Sequence, residues 1–310
     1  MPIYLTTDFW IIVTQALGAI GTVASVLFAI FTYSKARNND SLLEVKKSVW
    51  KIPTVCNDIN LLLSEPFFVA LGNSISDELK KLLEKDQSLE EYSQFLLNDE
   101  KSHNYKAQAI YSGLKRCEDV IQIKELIRSV EDAERTVTLH FPAIGFGLRK
   151  LFFYIDRAAN RTISSGVFNR SLSAELEDGV ENSAFKKAIS TAAATGSPEL
   201  YFKELAIYLT SVAKASLRQN ALGQRTIDLS LKMLALSCNV FGGQDLGRLN
   251  KISHTDARLA KKLQGKKGKH AVEDAMIIFK KYKRFYKESD WEKMIECKAR
   301  IIENMEYDDD

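Results

Sequence analysis

Between Phe9 and Tyr33 the chain reads FWIIVTQALGAIGTVASVLFAIFTY, with no charged residue and with Gln15 as its one strongly polar side chain. No other feature restricts the fold as much. As an α-helix this run is about 37 Å long, more than the roughly 30 Å hydrocarbon core of a bilayer. It predicts a single transmembrane helix over residues 9–34, preceded by a short external tail over 1–8. A cleaved signal peptide fits less well. It needs a basic leader and a shorter apolar run, and no Lys or Arg precedes Lys35. Orientation follows from the flanks, because cations are retained on the cytoplasmic side. Lys35, Arg37, Lys46, Lys47 and Lys51 follow the run, and Asp8 precedes it. The expected location is the cell membrane, with the N-terminus outside, the body in the cytoplasm and membrane lipid as the first partner.

Thr14, Gly18, Gly21, Ser25, Ala29 and Thr32 recur within this run at steps of three and four, so small residues line one helix face. Helices in lipid associate through such faces because small side chains let backbones approach closely. The stripe predicts a homo-oligomer formed through the transmembrane helix. An unspecialised scatter of small residues along a span is the competing reading.

Beyond residue 34 the pattern is helical, with weak strand signals, and the expected fold is all-α: one N-terminal transmembrane helix followed by a multi-helix cytoplasmic body. Ile110, Leu114, Cys117, Ile121, Ile127, Val130 and Val137 form an approximate apolar stripe that Pro142 closes. The segment AIGFG before LRKLFFYI is apolar but interrupted by charge, which predicts a buried core helix. Ser197-Pro198-Glu199 has the composition of a helix start. Ser88 with Glu91, and Ser289 with Glu292, have capping-box spacing. The glycines of FGGQDLG suggest a boundary between a helical domain over 35–241 and a C-terminal basic helical region over 242–310.

The formal charge of +3 over 310 residues excludes a globally basic nucleic-acid binder. Near-neutrality here is the sum of opposed parts. Residues 65–100 hold nine acids and three bases, 245–287 hold thirteen bases and four acids, and 288–310 hold nine acids and three bases. The segment FYKESDWEKMIECKARIIE is similar to the middle of a tetratricopeptide repeat, with Tyr286, Asp290, Trp291, Glu292 and Lys293 at the corresponding positions. Ser289 stands where that family usually has Gly, and no second copy follows. An ordinary amphipathic helical hairpin satisfies the same residues.

Four widely spaced cysteines, Cys56, Cys117, Cys238 and Cys297, read as buried reduced thiols, and no metal or cofactor motif is present. Arg135 and His140, in RTVTLH, resemble the short Arg–His motif of HEPN ribonucleases, which are small all-α domains. The resemblance implies that Arg135 stabilises phosphate charge and that His140 serves in metal-independent acid–base chemistry on RNA. Thr136 departs from the Asn, Asp or His usual after the Arg. A helix-end histidine beside a surface arginine is the structural alternative. Arg248 and His254 have similar spacing. In KKYKRFY, Lys280, Lys281, Lys283 and Arg284 interleave with aromatics, a pattern suited to anionic lipid or nucleic acid. The leading expectation is a membrane-anchored protein acting through self-association and an unidentified cytoplasmic protein partner, as a scaffold, sensor or membrane effector of the kind found in bacterial defence. The alternative is an anchored HEPN-like ribonuclease.

Overall fold

The computed structural model describes residues 7–177, 183–218, 224–242, 244–263 and 270–306, without the side chains of 7–23, 99–101, 175–177, 218, 224 and 306. Every regular element among them is helical. In chain order these are α1 (Thr7–Leu62), α2 (Glu65–Lys80), α3 (Leu89–Leu97), α4 (Asp99–Arg116), α5 (Glu118–His140), α6 (Pro142–Thr162) and α7 (Ser165–Glu177). There follow α8 (Ala184–Ala193), α9 (Pro198–Arg218), α10 (Gln224–Ser237), a 3₁₀ helix at Cys238–Phe241, α11 (Leu246–Leu263) and α12 (Ala271–Phe279). A second 3₁₀ helix at Lys280–Phe285 leads into α13 (Glu288–Glu306).

The first helix does not stop where the apolar run ends. Residues 34–40 contain neither Gly nor Pro, and the backbone continues unbroken to Leu62. Its second half has a different character from its first. Leu42, Val45, Val49, Ile52, Cys56 and Ile59 recur at alternating steps of three and four and are all buried. This stripe lays α1 along α5 and α10. Among the described residues no helix is long and apolar enough to cross a membrane. The expected span over 9–34 is helical backbone throughout, with side chains described only from Ala24 onward.

At the centre of the body lies α6, the apolar segment anticipated as a core helix, which packs against α5, α9, α10, α11 and α12. Its start is fixed from a distance. Pro142 opens the helix and Phe141, the residue at the cap position, offers no side-chain acceptor. The first N–H groups of a helix have no partner within it. The Asp256 carboxylate on α11 supplies one, accepting from Ala143 N–H at 2.6 Å and Ile144 N–H at 3.1 Å. The same carboxylate accepts the Tyr282 hydroxyl at 2.5 Å. One turn earlier on α11, the Ser253 hydroxyl donates to the His140 carbonyl at 2.6 Å. Further along α6, the Tyr154 hydroxyl accepts from Val272 N–H in the first turn of α12, at 3.1 Å.

Local signals for helix ends were reliable where the capping partner is near in sequence. Ser88 and Glu91 form the expected capping box, and α9 begins at Pro198. Two expectations fail. Ile121 is exposed rather than buried, because Cys117 takes an extended conformation between α4 and α5 and the stripe restarts at Val120 and Ile123. Ser289 does not cap α13, which starts one residue before it. The helices after residue 242 join the same hydrophobic core as the rest, which runs from Leu42 to Ile301.

Close crossings require glycine at α4 over α2. A Cβ on Gly113 would lie 2.7 Å from the Ile75 Cα, which is backbone and cannot give way. Gly113→Ala gains roughly 1 kcal/mol of helix propensity but overpacks at a cost of about 1–3 kcal/mol. A net loss of stability is expected in chemical denaturation. Asp256→Asn places an amide NH₂ against an N–H donor, and is expected to cost about 1–3 kcal/mol in the same measurement. Burial raises the Asp256 carboxyl above its ordinary 3.8, its three hydrogen bonds offsetting only part of that. A raised folded-state pKa favours the native form at low pH, so stability falls as pH climbs from 3.8 through the raised value. The advantage of wild type over Asp256→Asn is therefore expected to shrink across that window.

Candidate functional site

Three places carry residues that the sequence singles out. The first is the N-terminal stretch of α1. Val26, Leu27, Phe28, Ile30, Phe31 and Tyr33 are all exposed, Phe28 at 71%. At 100° per residue these side chains cover about 220° of the helix circumference, and Ser25, Ala29 and Thr32 fill the remaining arc. Of the small-residue stripe, Ser25, Ala29 and Thr32 are exposed. Thr14, Gly18 and Gly21 lie outside the described side chains.

The second is the end of α5. Arg135 is exposed and pairs with Asp132 at 3.6 Å. Asp132 in turn lines a groove of about 370 Å³ with Lys51, Glu125 and Arg128, in which both signs of charge meet. His140 closes the helix, half-buried. Five residues turn about 140° around an α-helix, so Arg135 and His140 project in different directions. Through Ser253, the His140 backbone sits against the turn of α11 that also carries His254, itself exposed.

The third place is a groove of about 270 Å³ between α11 and the 3₁₀ helix Lys280–Phe285. From α11 come Arg248, Lys251, Ile252 and Thr255, spaced so that all four share one helix face. From the 3₁₀ helix come Lys281, Tyr282, Arg284 and Phe285. Residues three apart eclipse in a 3₁₀ helix, which aligns Lys281 with Arg284. Lys280 and Lys283 fall on a neighbouring ridge outside the groove, and Lys283 pairs with Glu288 at 3.1 Å. The sequence-predicted cations thus divide: Lys281 and Arg284 line the groove, and Lys280 and Lys283 do not.

Local contacts order these cations. The Arg284 guanidinium lies 4.7 Å from the Phe285 ring centre. Asp245 accepts from Arg248 N–H at 2.7 Å and approaches its guanidinium at 3.9 Å. Tyr282 is buried, with its hydroxyl committed to Asp256. Burial, followed by the adjacent Asp256 charge, pushes the phenol well above its ordinary range, so it stays protonated at neutral pH. Four cations around a small concavity can hold an anion. Lys251 and Thr255 escaped the sequence reading, although their helical spacing from Arg248 was available in it.

The thiols are chemically quiet. All four cysteines are free and buried, with burial pushing Cys56 up to about 12 and raising the other three. They therefore remain neutral near pH 7. Among the described residues no group of three His, Cys, Asp or Glu is placed to hold a metal ion.

The groove has a fixed position along α1. Lys46 donates to the Gln244 carbonyl at 3.2 Å, and Asn38 donates to the Asn250 side chain at 3.1 Å. As the chain proceeds from 244 to 250 it moves back along α1, towards the apolar stretch, and Arg248 and Lys251 flank the upper contact. Comparisons of this chain with protein-family models, with curated proteins and with solved structures find no match.

Proposed function

We propose that this protein is anchored in a membrane by the N-terminal half of α1 and acts through self-association and partner binding by its helical body, as a scaffold, sensor or membrane effector. One observation carries the reading: α1 changes within a single helix from an apolar stripe buried on one side to a segment that is exposed on all sides and carries no charge on any of them. A water-soluble surface helix keeps a polar face. The exposed stretch Val26–Tyr33 continues an uncharged sequence that begins at Phe9, and the combined length suits a bilayer. The cations Lys35 and Arg37 follow it directly, which supports a cytoplasmic body. Tethering confines the body to two dimensions and raises the effective concentration of weak contacts.

An arginine at the centre of a membrane helix costs about 2.5–3.5 kcal/mol on insertion scales. Full-length protein is expected in the membrane pellet after alkaline carbonate extraction, and Ile20→Arg with Val23→Arg is expected to move it to the supernatant. An unchanged distribution would place the exposed stretch against protein instead of lipid. Gly18→Leu with Gly21→Leu is expected to shorten the ladder of crosslinked oligomers without releasing the protein from membranes; an unchanged ladder would remove self-association through this face.

A further inference from the structure

We propose that the groove between α11 and the 3₁₀ helix Lys280–Phe285 binds the phosphate-bearing headgroup of an anionic phospholipid in the leaflet next to the body. The proposal rests on the reading of α1 as a membrane anchor and adds a defined lipid site to it.

Depth is the first argument. The Asn38–Asn250 contact lies four residues beyond Ser34, the end of the apolar run. Four residues advance a helix by about 6 Å. The interfacial layer on each side of the hydrocarbon core is itself about 5–8 Å thick. Arg248 and Lys251, on either side of Asn250, are thereby held at headgroup level. The geometry that packs α11 against α1 also sets the groove at the height where phosphates lie.

Charge is the second. Arg248, Lys251, Lys281 and Arg284 converge from two elements, and Asp245 at the edge of Arg248 is the one carboxylate in ion-pair contact with them among the described residues. Guanidinium and ammonium groups make charge-assisted hydrogen bonds to phosphate oxygens. The groove's 270 Å³ equals roughly nine waters at about 30 Å³ each, room for a phosphate diester with part of its hydration. Phe285, half-buried beside Arg284, adds an aromatic ring of the kind enriched at membrane interfaces. The floor is rigid: Tyr282 is tied to Asp256, and Asp256 to the start of α6.

Two matched variants test this, because each removes two charges from the same six-residue helix. Purified full chain in detergent is titrated with phosphatidylglycerol or phosphatidylcholine, and bound lipid is read by native mass spectrometry. Wild type is expected to prefer phosphatidylglycerol. Lys281→Gln with Arg284→Gln is expected to weaken that preference about tenfold, whereas Lys280→Gln with Lys283→Gln stays within about twofold. All four side chains are exposed, and unchanged thermal melting verifies the fold. Equal losses in the two variants, or none in either, would overturn the proposal. Displacement of the lipid by equimolar glycerol phosphate would assign the groove to a soluble phosphate and overturn it too. Flotation of the full chain with vesicles of phosphatidylcholine alone separates the two readings. A chain that floats but shows no anionic preference loses the groove and keeps the anchor. A chain that does not float loses both.

Discussion

The architecture depends on a carboxylate that starts a helix to which it does not belong. The central helix α6 begins at a proline preceded by phenylalanine, so neither residue provides an acceptor for its first N–H groups. Asp256 supplies it from α11, across 113 positions of sequence. An uncapped helix end buried in the core leaves polar groups without water or partner, a cost of about 1–3 kcal/mol for each. Folding α6 into the centre therefore requires α11 to be docked. Docked α11 presents the same carboxylate to Tyr282, which sets the 3₁₀ helix after α12. Tyr154 of α6 then receives the first turn of α12. The C-terminal helices are thus bound into the core by a chain of contacts, two of which satisfy backbone N–H groups at helix starts, while the third joins the side chains of Tyr282 and Asp256.

On the proposed reading, the long first helix joins two solvents. From Leu42 onward the three-and-four spacing gives α1 one apolar face, and the body covers that face. Between Ala24 and Tyr33 every side chain is exposed and none is charged, so the body's mode of packing does not continue. What joins the two halves is the helical backbone, whose hydrogen bonds close within the segment and are indifferent to what surrounds the side chains. A change of environment need not be a break in structure. This is why charge at Lys35 marks an end to the apolar run without ending the helix.

Legibility in the sequence followed the range of the interaction. Ser88 with Glu91 and Ser197 with Pro198 act within one turn, so their residue types announce them. The restart of the stripe at Cys117 depends on one backbone conformation, and periodicity carried Ile121 onto the wrong face. Asp256 was unreadable because its partners lie in another helix; only the missing cap before Pro142 hinted that some distant acceptor was required. The candidate site divides in the same way. Lys281 and Arg284 drew notice through local density of charge, together with Lys280 and Lys283, which charge density alone does not separate from them. The 3₁₀ winding and the arrival of Arg248 and Lys251 decide which cations face the groove.

That separation bears on what the groove can do. A catalytic site needs a group able to gain or lose a proton near the working pH. The Tyr282 phenol beneath the groove is arranged the opposite way: it is driven upward by burial and by the adjacent charge, and its hydrogen is held by the Asp256 carboxylate. The polar atoms of these two side chains are spent on joining α6, α11 and the 3₁₀ helix, leaving the ring as a floor. Around that floor stand guanidinium and ammonium groups, which donate hydrogen bonds and accept none. On the proposed reading, such a combination serves steady recognition of an anion. It also ties recognition to the core, since the residue beneath the cations is bonded to the carboxylate that begins α6.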